Sequence, residues 1–566
     1  MCKYIVVAGG VISGVGKGVT TASTAKILKE YGFKVTVIKI DPYINYDAGT
    51  LRPTEHGEVW VTDDGGEIDQ DLGNYERFLD VCIPKKNNIT TGQIYKTVID
   101  DERAGKYLGK TVQFIPHIPE EIIKRVKDCA RGYDFCLIEI GGTIGDFENI
   151  PFLFAMKSLE REVGKKNVVY VLITYLPIPS HIEEMKTKPT QQAIRMLTEH
   201  GIFPDFIICR SKKPADKVRK NKIETYANIK SDYVISEPDI DTIYRIPLDL
   251  EKENFGLKIL KEVGLTPKQK PDWKKWSKLV NNIVGDSREV KIAIVGKYVD
   301  IGDFDLADSY ISINQALQHA GANLNVKPEI DWIDSKRFEI EPKRLPSLKE
   351  YAGIIIPGGF GSSGIEGKIK AISFARKNNI PFLGLCYGMQ LAVVEYARNV
   401  CGMADANTTE VDKTTTHPVI DILPSQKELI ANSKYGGTMR LGAYAAMLKD
   451  NTMVSCLYEG RIGSDMQFIS KFKNNENFRL GILNTKKVIF ERHRHRFEVN
   501  PDYIQALEAK GLIFSGYHIR NDQTRLMEFI ELPSNKFFIA TQAHPEFKSS
   551  LLKPAPLFSG FIRSML

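Results

Sequence analysis

The chain has 566 residues, of which 43% are hydrophobic and 26% are charged. This balance is typical of a soluble globular protein and excludes global disorder, while the length predicts two large domains or three to four smaller ones. The net charge of +7 is a weak excess for this length, so it does not demand a nucleic acid partner and suits small anionic ligands or an ordinary mixed surface equally well.

The first predicted element is a core strand at residues 4–10, within the segment MCKYIVVAGG. One lysine followed by a glycine-rich turn is not typical of a signal peptide. The sequence contains no apolar run close to the roughly 18 residues that a membrane helix needs. We therefore expect a cytoplasmic protein without a membrane partner.

The rest of the N-terminal half alternates short apolar runs with segments of helical spacing. Many of the apolar runs are rich in β-branched residues, which strands favour. Continuous apolar strands separated by helices predict a parallel sheet that is covered on both faces. The predicted strands after the first are 34–40, 134–142, 167–175, 205–210 and 232–236.

A glycine-rich loop follows the first strand in the sequence AGGVISGVGKGVTTAS, residues 8–23. Its glycines free the backbone to wrap an anion, and the following helix offers unpaired N–H groups and a positive dipole end. Lys17 adds a point charge for phosphates. The strict phosphate-loop motif has Ser or Thr after this lysine, whereas the chain has Gly18, so Mg²⁺ needs other ligands.

Two acidic residues are candidates for these ligands. Glu139 stands at the end of the predicted strand in CLIEIGG, and Asp71 lies in the segment GGEIDQDLGNYERF. Ligands of open parallel sheets bind beyond the carboxyl ends of the strands, and a buried carboxylate needs a cation. We predict that Asp71 and Glu139 hold Mg²⁺, although the local sequence around Asp71 is equally compatible with a solvated loop.

A second alternating series predicts another α/β domain, with strands at 290–298, 323–333, 353–359 and 380–386. The boundaries are 1–265 for the first domain, 266–289 for a linker with an amphipathic helix, and 290–566 for the second domain. The turn-rich stretch 457–488 predicts a surface loop, and its removal should leave the chemistry of the second domain intact.

Cys386 lies between two glycines in GLCYG, after an apolar strand and before a segment of helical periodicity. This is the thiol counterpart of the nucleophile elbow, in which the helix N-terminus favours a thiolate. Backbone N–H groups of Tyr387 and of PGGFG, residues 357–361, could bind an oxyanion. His544 and Glu546, in QAHPEF, are the predicted base and its orienting carboxylate.

These motifs together resemble the cytidine triphosphate (CTP) synthase family over most of the chain. The N-terminal half carries VISGVGKG, IKIDPYIN, HGEVWVTDDGGEIDQDLGNYERF, EIGGTIGDFE and KTKPTQ. The C-terminal half carries PGGFGSSGIEGK, FLGLCYGMQLAVVEYARNV, GGTMRLG, ERHRHRFEVN and HPEF. The family usually has Leu where this chain has Tyr387, a difference of little consequence where only the backbone N–H is used.

The resemblance implies a Rossmann-like phosphate-loop synthetase domain joined to a class I glutamine amidotransferase domain. Such a C–N ligase would use MgATP to phosphorylate the 4-oxygen of UTP, hydrolyse glutamine through a thioester on Cys386, and pass ammonia through a tunnel to displace the phosphate. A tunnel that excludes water keeps the ammonia neutral. The resemblance also implies GTP activation, CTP inhibition, homotetramers and filaments, and no nucleic acid partner.

The resemblance assigns further residues by position in the family motifs. For ATP the residues are Ser13, Gly14, Gly16, Lys17, Gly18, Lys39, Asp71 and Arg210. For UTP or CTP they are Ser13, Asp146, Phe147, Glu148, Lys186, Lys188, Gln191 and Lys222, although the basic segments around the last four are, taken alone, most often solvated surface. For glutamine they are Gly359, Tyr387, Gln390, Glu410 and Arg494. Arg440 would lie in a lid linked to GTP, and His56 at the tunnel mouth.

Three other classes of protein share part of this sequence pattern. The cobyrinic-acid amidating synthetases share the architecture but lack KTKPTQ and an intact HPE. A phosphate-loop switch ATPase that binds a partner protein does not account for Cys386 with His544. A catalytically silent filament subunit does not account for the retained Lys17 and Glu139. Formation of CTP from UTP, ATP, Mg²⁺ and a nitrogen source separates all three.

Overall fold

Two structural units, each with its own sheet, make up the chain. The computed structural model describes residues 1–51, 57–181, 183–297, 310–359, 361–422, 439–470 and 479–566. The first unit contains Met1–Leu51 and Glu67–Val284. The second unit combines the short segment 57–66 with the described residues from 285 onward. The chain therefore leaves the first unit twice, once for this short segment and once near residue 285.

A seven-stranded sheet forms the centre of the first unit, in the order β3-β2-β4-β1-β5-β6-β7 with all neighbours parallel. Both faces of the central strands are buried, as their continuous apolar sequences predict. The strands are β1 (Lys3–Gly9), β2 (Val35–Asp41), β3 (Asn88–Thr90), β4 (Phe135–Ile140), β5 (Val168–Tyr175), β6 (Phe206–Ser211) and β7 (Val234–Pro238).

Ten helices accompany this sheet in the described part of the first unit. The last of them, α10, is the helix predicted in the linker, and Trp276 anchors it: its ring lies 5.7 Å from that of Phe78, and its Nε1 donates to the Tyr244 carbonyl at 2.7 Å. The helices are α1 (Lys17–Glu30), α2 (Asp71–Leu79), α3 (Thr91–Arg103), α4 (Phe114–Ala130), α5 (Ile150–Val163), α6 (Lys188–Glu199), α7 (Lys217–Ala227), α8 (Ile246–Lys252), α9 (Phe255–Glu262) and α10 (Lys274–Val284).

The second unit is built on a nine-stranded mixed sheet, in the order β9-β8-β10-β11-β16-β15-β14-β12-β13. Its first five strands are parallel, four of them in the series that the sequence predicts, and the remaining pairings are antiparallel. The strands are β8 (Arg288–Gly296), β9 (Val326–Asp334), β10 (Gly353–Ile356), β11 (Phe382–Leu385), β12 (Arg440–Leu448), β13 (Val488–His495), β14 (Ile513–Ile519), β15 (Arg525–Glu531) and β16 (Phe538–Thr541).

Seven helices and a small three-stranded sheet complete the described part of the second unit. The helices are α11 (Ile311–Leu324), α12 (Lys336–Ile340), α13 (Ile365–Lys377), α14 (Tyr387–Asn399), α15 (Met453–Ile469), α16 (Ile504–Glu508) and α17 (Pro556–Arg563). The small sheet contains Asn407–Thr408, Pro418–Asp421 and Glu498–Val499. Within the described ranges of both units, no helix is long and apolar enough to cross a membrane.

The expectation of a surface loop at 457–488 is wrong for its first part, because residues up to 469 belong to α15. Tyr458 is fully buried there, and its hydroxyl donates to Glu491 at 2.9 Å. The segment looks turn-rich because of Gly460 and Gly463, but both positions face open space on the helix. Tertiary packing of Tyr458 therefore outweighs the low helix propensity of the glycines. Residues 471–478 lie outside the described residues.

We accordingly expect Tyr458→Ala to lower the free energy of unfolding by about 3–5 kcal/mol, the usual cost of deleting a large buried ring. The loss also leaves the buried Glu491 carboxylate without this donor. Urea denaturation followed by circular dichroism measures the change. Glu459→Ala, at the exposed neighbouring position, is the matched control and should stay within about 0.5 kcal/mol of the wild type. Equal stability of both variants would show that α15 contributes nothing to the fold.

Candidate functional site

The turn at Cys386 has the strand–turn–helix form that the sequence predicts. Strand β11 ends at Leu385 and α14 begins at Tyr387, with Cys386 between them at φ +50° and ψ −100°. A non-glycine residue in such a conformation costs about 1–3 kcal/mol and must be held by its surroundings. The Cys386 N–H donates to the Thr541 carbonyl at 2.7 Å, and Met389 N–H donates to the Cys386 carbonyl at 3.0 Å. The strained turn thus presents the thiol at the start of a helix.

The two glycines of GLCYG are required by close packing. A Cβ atom at Gly384 would lie 2.8 Å from Ala540 Cβ and 2.9 Å from the Gly388 carbonyl carbon, and a Cβ atom at Gly388 would overlap the Ile356 carbonyl oxygen. The turn therefore keeps its shape independently of the side chain at position 386.

His544 and Glu546 form the predicted pair, with Nδ1 of the imidazole 2.7 Å from Oε1 of the carboxylate. The charge of Cys386 also acts on this imidazole. Burial alone would lower the pKa of His544, but the charges of Glu546 and Cys386 outweigh burial and raise that pKa to about 10. An imidazolium at this position can stabilise a thiolate and give its proton to a leaving nitrogen.

A glycine loop at residues 357–361, of which Phe360 lies outside the described residues, packs against this pair. A Cβ atom at Gly358 would lie 2.9 Å from His544 Cε1 and 3.6 Å from Cys386 Cβ. The Tyr387 hydroxyl donates to the Gly361 carbonyl at 3.2 Å, and Gly361 N–H donates to Glu410 Oε1 at 2.8 Å. Three segments that the sequence predicts to bind glutamine are thus in contact, and Tyr387 contributes its side chain as well as its N–H.

Other residues expected at the glutamine site also lie near Cys386. Gln390 Nε2 donates to the Phe497 carbonyl at 2.9 Å and to Gln542 Oε1 at 3.3 Å. The carbonyl of Arg494 lies 3.9 Å from Cys386 Sγ. Gln542 Nε2 lies 3.6 Å from the same sulfur, which the sequence reasoning missed although Gln542 belongs to the QAHPEF motif.

The structure places Arg440, which is expected in a lid, in the second sheet, next to its edge strand. This residue begins β12 and is buried, and its guanidinium pairs with Glu528 at 2.7 Å and Glu498 at 3.2 Å. It therefore belongs to a strand and to a buried ion-pair network, where such a cation is paired on both sides. His56, expected at a tunnel mouth, lies outside the described residues.

In the first unit, the glycine-rich loop leads from β1 into α1 as predicted. Gly14 and Gly16 have φ values of +72° and +83°, which glycine adopts without strain. Lys17 is the first residue of α1, and its Nζ donates to the Gly142 carbonyl at 2.6 Å. Burial lowers the pKa of Lys17, a cost that a bound phosphate would offset. The loop, the lysine and the helix N-terminus together offer the N–H donors and the positive charge that an anion site requires.

Carboxylates beside this loop converge on Lys39. Its Nζ forms an ion pair with Asp71, lies 3.1 Å from Glu139 Oε1 and lies 3.8 Å from Asp41 Oδ1. Register pairing of β2 with β4 sets Lys39 beside Glu139. Tyr75 donates to Glu139, and burial raises the pKa of this carboxyl although Lys39 opposes the shift. Sequence reasoning missed Tyr75, whose spacing of four residues from Asp71 places both on one face of α2.

Asp71 and Glu139 fit a role as Mg²⁺ ligands. A Cβ atom at Gly18 would overlap Asp71 Oδ1, so the carboxylate occupies the space that a Ser or Thr would fill in the strict motif. Both carboxylates already face one cationic atom, and carboxylate oxygens are ligands that Mg²⁺ prefers. Within the part of the chain that the structure describes, no group of three or more His, Cys, Asp or Glu side chains forms a complete metal site. Phosphate oxygens and water would complete the shell.

Arg210 lies beside the glycine-rich loop. Its Nη1 pairs with Glu237 Oε1 at 2.8 Å, and its Nε is 3.7 Å from the Cβ position of Gly16. Thr20, in the first turn of α1, donates to the same Glu237 at 3.1 Å. The structure thus brings Arg210 beside the glycine-rich loop, and its role at ATP stays a prediction. Glu237 was missed because a lone glutamate at the end of a strand carries no motif.

The residues expected to bind UTP or CTP fall into separate groups. Lys186 pairs with Glu184 at 2.5 Å, Arg219 pairs with the same carboxylate at 3.3 Å, and Lys222 also acts on it electrostatically. Gln191 Nε2 donates to Thr187 Oγ1 at 3.3 Å. The exposed residues of this set are Ser13, Phe147, Glu148, Lys188 and Lys222.

Asp146 is already engaged within its own turn. Its carboxylate accepts from Thr143 N–H at 2.6 Å and from Thr143 Oγ1 at 2.8 Å. It therefore shapes the segment that follows β4, and the exposed Phe147 and Glu148 are the parts of this segment available to a ligand.

Two family models match the chain. The model described as CTP synthase N-terminus matches residues 3–265, and the model described as glutamine amidotransferase class-I matches residues 305–564. The chain is 48% identical over 564 residues to a CTP synthase of Thermococcus gammatolerans. It is 49% identical to those of Pyrococcus abyssi, over 564 residues, and Methanocaldococcus jannaschii, over 570 residues. Each alignment covers 100% of this chain and 98% of the relative.

Proposed function

Because the chain belongs to the CTP synthase family and converts UTP to CTP with nitrogen from glutamine, we propose that the two units divide this reaction between the sites described above. The observation that carries the proposal is the Cys386 elbow with its His544–Glu546 pair in one unit and the Lys17 anion loop with its carboxylates in the other. The first site would release ammonia, and the second would activate UTP to receive it.

In the glutaminase site, the Cys386 thiolate would attack the side-chain carbonyl carbon of glutamine. Backbone N–H groups of Tyr387 and of the glycine loop would stabilise the oxyanion. The C–N bond would break as His544 gives its proton to the leaving ammonia, which leaves a thioester on Cys386. His544 would then accept a proton from the water that hydrolyses the thioester, while Glu546 holds the imidazole in position.

In the synthetase site, Lys17 and Lys39 would bind the ATP phosphates while the γ-phosphoryl group moves to the 4-oxygen of UTP. Asp71 and Glu139 would hold Mg²⁺, which supplies charge neutralisation for phosphoryl transfer. Ammonia would then attack carbon 4 and lose one proton, and the bond between carbon 4 and the phosphorylated oxygen would break, which releases inorganic phosphate. A phosphate is needed because the uracil carbonyl oxygen is otherwise a poor leaving group.

We also propose the regulation and assembly that the family resemblance implies. Lys186 and Lys222, the basic residues around Glu184, would bind the triphosphate of UTP. Phe147 and Glu148 would contribute to CTP inhibition. GTP would act as activator, with Arg440 supporting the start of β12. Homotetramers, filaments, the ammonia tunnel and cytoplasmic location belong to the same proposal.

A paired assay tests whether the two units carry out separate steps of the reaction. Purified protein is given UTP, ATP and Mg²⁺ with either glutamine or ammonium chloride, and CTP and glutamate are measured separately. We expect CTP with both nitrogen sources and glutamate only with glutamine. Glutamate formation without any CTP from ammonium would contradict the synthetase assignment.

Asp71→Asn and Glu139→Gln are each expected to raise the Mg²⁺ concentration needed for half-maximal CTP synthesis from ammonium by about tenfold or more, because each removes a charged oxygen ligand. Both changes are nearly isosteric, so the fold should survive. Asp100→Asn, on the exposed face of α3, is the control. The measurement is a Mg²⁺ titration at saturating ATP. Wild-type titration curves for both variants would place the metal elsewhere.

A further inference from the structure

Lys368, in the first turn of α13, is a lysine that the mechanism above does not use. Its side chain is fully buried, and its Nζ has no hydrogen-bond partner among the residues that the structure describes. Burial of an ammonium group without a partner is costly, and buried lysines normally have one. A fold that keeps Lys368 at this position therefore sacrifices stability there.

The position of Lys368 connects it with the glutaminase site. Its Nζ lies 4.0 Å from the Cβ position of Gly359, in the glycine loop. The residue before it, Gly358, packs against His544 and Cys386 instead. Lys368 therefore lies behind the loop segment that faces the reacting thiol.

The ring of Tyr387 links Lys368 to the elbow. Lys368 Nζ is 5.6 Å from the ring centroid, within the range of a cation–π interaction. Tyr387 follows Cys386 directly, and its hydroxyl donates to Gly361. The ammonium group thus adjoins both segments that offer backbone N–H groups to an oxyanion.

The charged groups around Lys368 leave both of its protonation states accessible. Burial and, to a lesser extent, the nearby Lys297 lower the pKa of Lys368 to about 7, and Asp334 opposes the shift. On the neighbouring α12, Glu339 accepts from Gly367 N–H, and at the glycine loop Glu410 accepts from Gly361 N–H. A new negative charge near the loop would favour the ammonium form of Lys368.

We propose that Lys368 is a positioning residue for glutamine hydrolysis, whose buried positive charge behind the glycine loop stabilises the negative charge that develops on the glutamine carbonyl oxygen. It acts through the backbone of the loop and the elbow and does not touch the substrate. In a water-excluded site, a charge a few ångströms away is far more effective than in water. The proposal rests on the proposed role of Cys386.

The test compares Lys368→Met with the wild type at pH 6.0 and pH 8.5. Met preserves the length and apolar stem without the charge, and Lys377→Met, exposed at the end of the same helix, is the control. We expect kcat for glutamine hydrolysis to fall about tenfold at pH 6.0, where Lys368 is protonated, with KM little changed. At pH 8.5, where the wild-type lysine has lost its proton, the two enzymes should differ by less than about twofold.

The melting temperature distinguishes this electrostatic role from a packing role, because the two roles predict changes of opposite sign in Lys368→Met. The pKa of Lys368 is about 7 in the folded protein and about 10.4 in the unfolded chain. The cost of burying the charge is therefore fully present below pH 7 and declines as the pH rises toward 10.4. Lys368→Met should consequently melt at a higher temperature than the wild type at pH 6.0, and the difference should shrink at pH 8.5.

An equal loss of activity at both pH values, a lower melting temperature at pH 6.0, or wild-type activity throughout would each overturn the inference. If Lys368→Met does not fold, Lys368→Gln takes its place, and failure of both to fold would show that the amine serves packing. Glutamine hydrolysis by Cys386→Ala would instead overturn the underlying glutaminase assignment, so the two failures are distinguishable. Synthesis of CTP from ammonium should be unchanged in Lys368→Met.

Discussion

Cys386→Ala is expected to abolish CTP formation from glutamine and to leave formation from ammonium nearly unchanged. The thiolate is needed only to break the glutamine amide, and loss of a catalytic nucleophile costs about 10⁶-fold in related nucleophilic hydrolyses. The turn should survive, because its shape depends on the close packing of Gly384 and Gly388 and on the backbone hydrogen bond to Thr541. External ammonia then reaches the activated UTP without the glutaminase.

The measurement is the paired assay with glutamine and with ammonium chloride, at a mildly alkaline pH that provides free ammonia. His544→Ala should show the same pattern, because its imidazole serves the same thioester. Cys456→Ala, at an exposed thiol on α15, is the matched control and should behave as the wild type. If Cys386→Ala still uses glutamine, another residue is the nucleophile. If the folded variant loses both activities, the two chemistries are not separable.

Lys17→Ala is expected to reduce CTP synthesis by about 10²–10³-fold with either nitrogen source, because it removes a charge that stabilises the phosphoryl group as transfer proceeds. Lys17 lies at the N-terminus of α1, and its amino group donates a hydrogen bond to the Gly142 carbonyl. The amino group is therefore already held beside the glycine-rich loop. The loss should appear in kcat with ammonium as well as with glutamine.

The control for this variant is Lys34→Ala, which removes an exposed lysine just before β2. Initial rates of CTP formation, measured at saturating UTP and ammonium, compare the two proteins. Near-normal synthesis by Lys17→Ala would assign phosphate binding to another residue. Circular dichroism establishes that each variant is folded.

The first sheet and the parallel half of the second sheet could be predicted because most of their strands are continuous apolar runs. The antiparallel half could not, and β13 shows the reason. Its sequence VIFERHRH contains Glu491, Arg492 and His493, each only 1% exposed. Buried charge in ion pairs gives the strand the composition of a surface segment, so the apolar period that marks a strand is lost.

The residues of the candidate sites also differ in whether they could be predicted from the sequence. Cys386, His544 and Lys17 stand in motifs whose local geometry follows from a few adjacent residues. Glu237 and Lys368 are brought to their sites only by tertiary packing, from strands and helices that carry no motif of their own. A short sequence motif predicts the geometry of its own residues, whereas contacts between residues far apart in the sequence are known only once the fold is known.

The short segment 57–66 has a consequence for the order in which the protein can mature on the ribosome. Trp60 is 1% exposed and packs against Phe547, with ring centroids 5.0 Å apart, and Asp63 pairs with Arg492 at 2.6 Å. The roughly 480 residues between Trp60 and Phe547 take about 25–100 s to translate at about 5–20 residues per second. The strands of the first sheet are all synthesised by Pro238. During that interval Trp60 cannot reach its buried position beside Phe547, so we expect this segment to be a target for chaperones that hold the chain until translation ends.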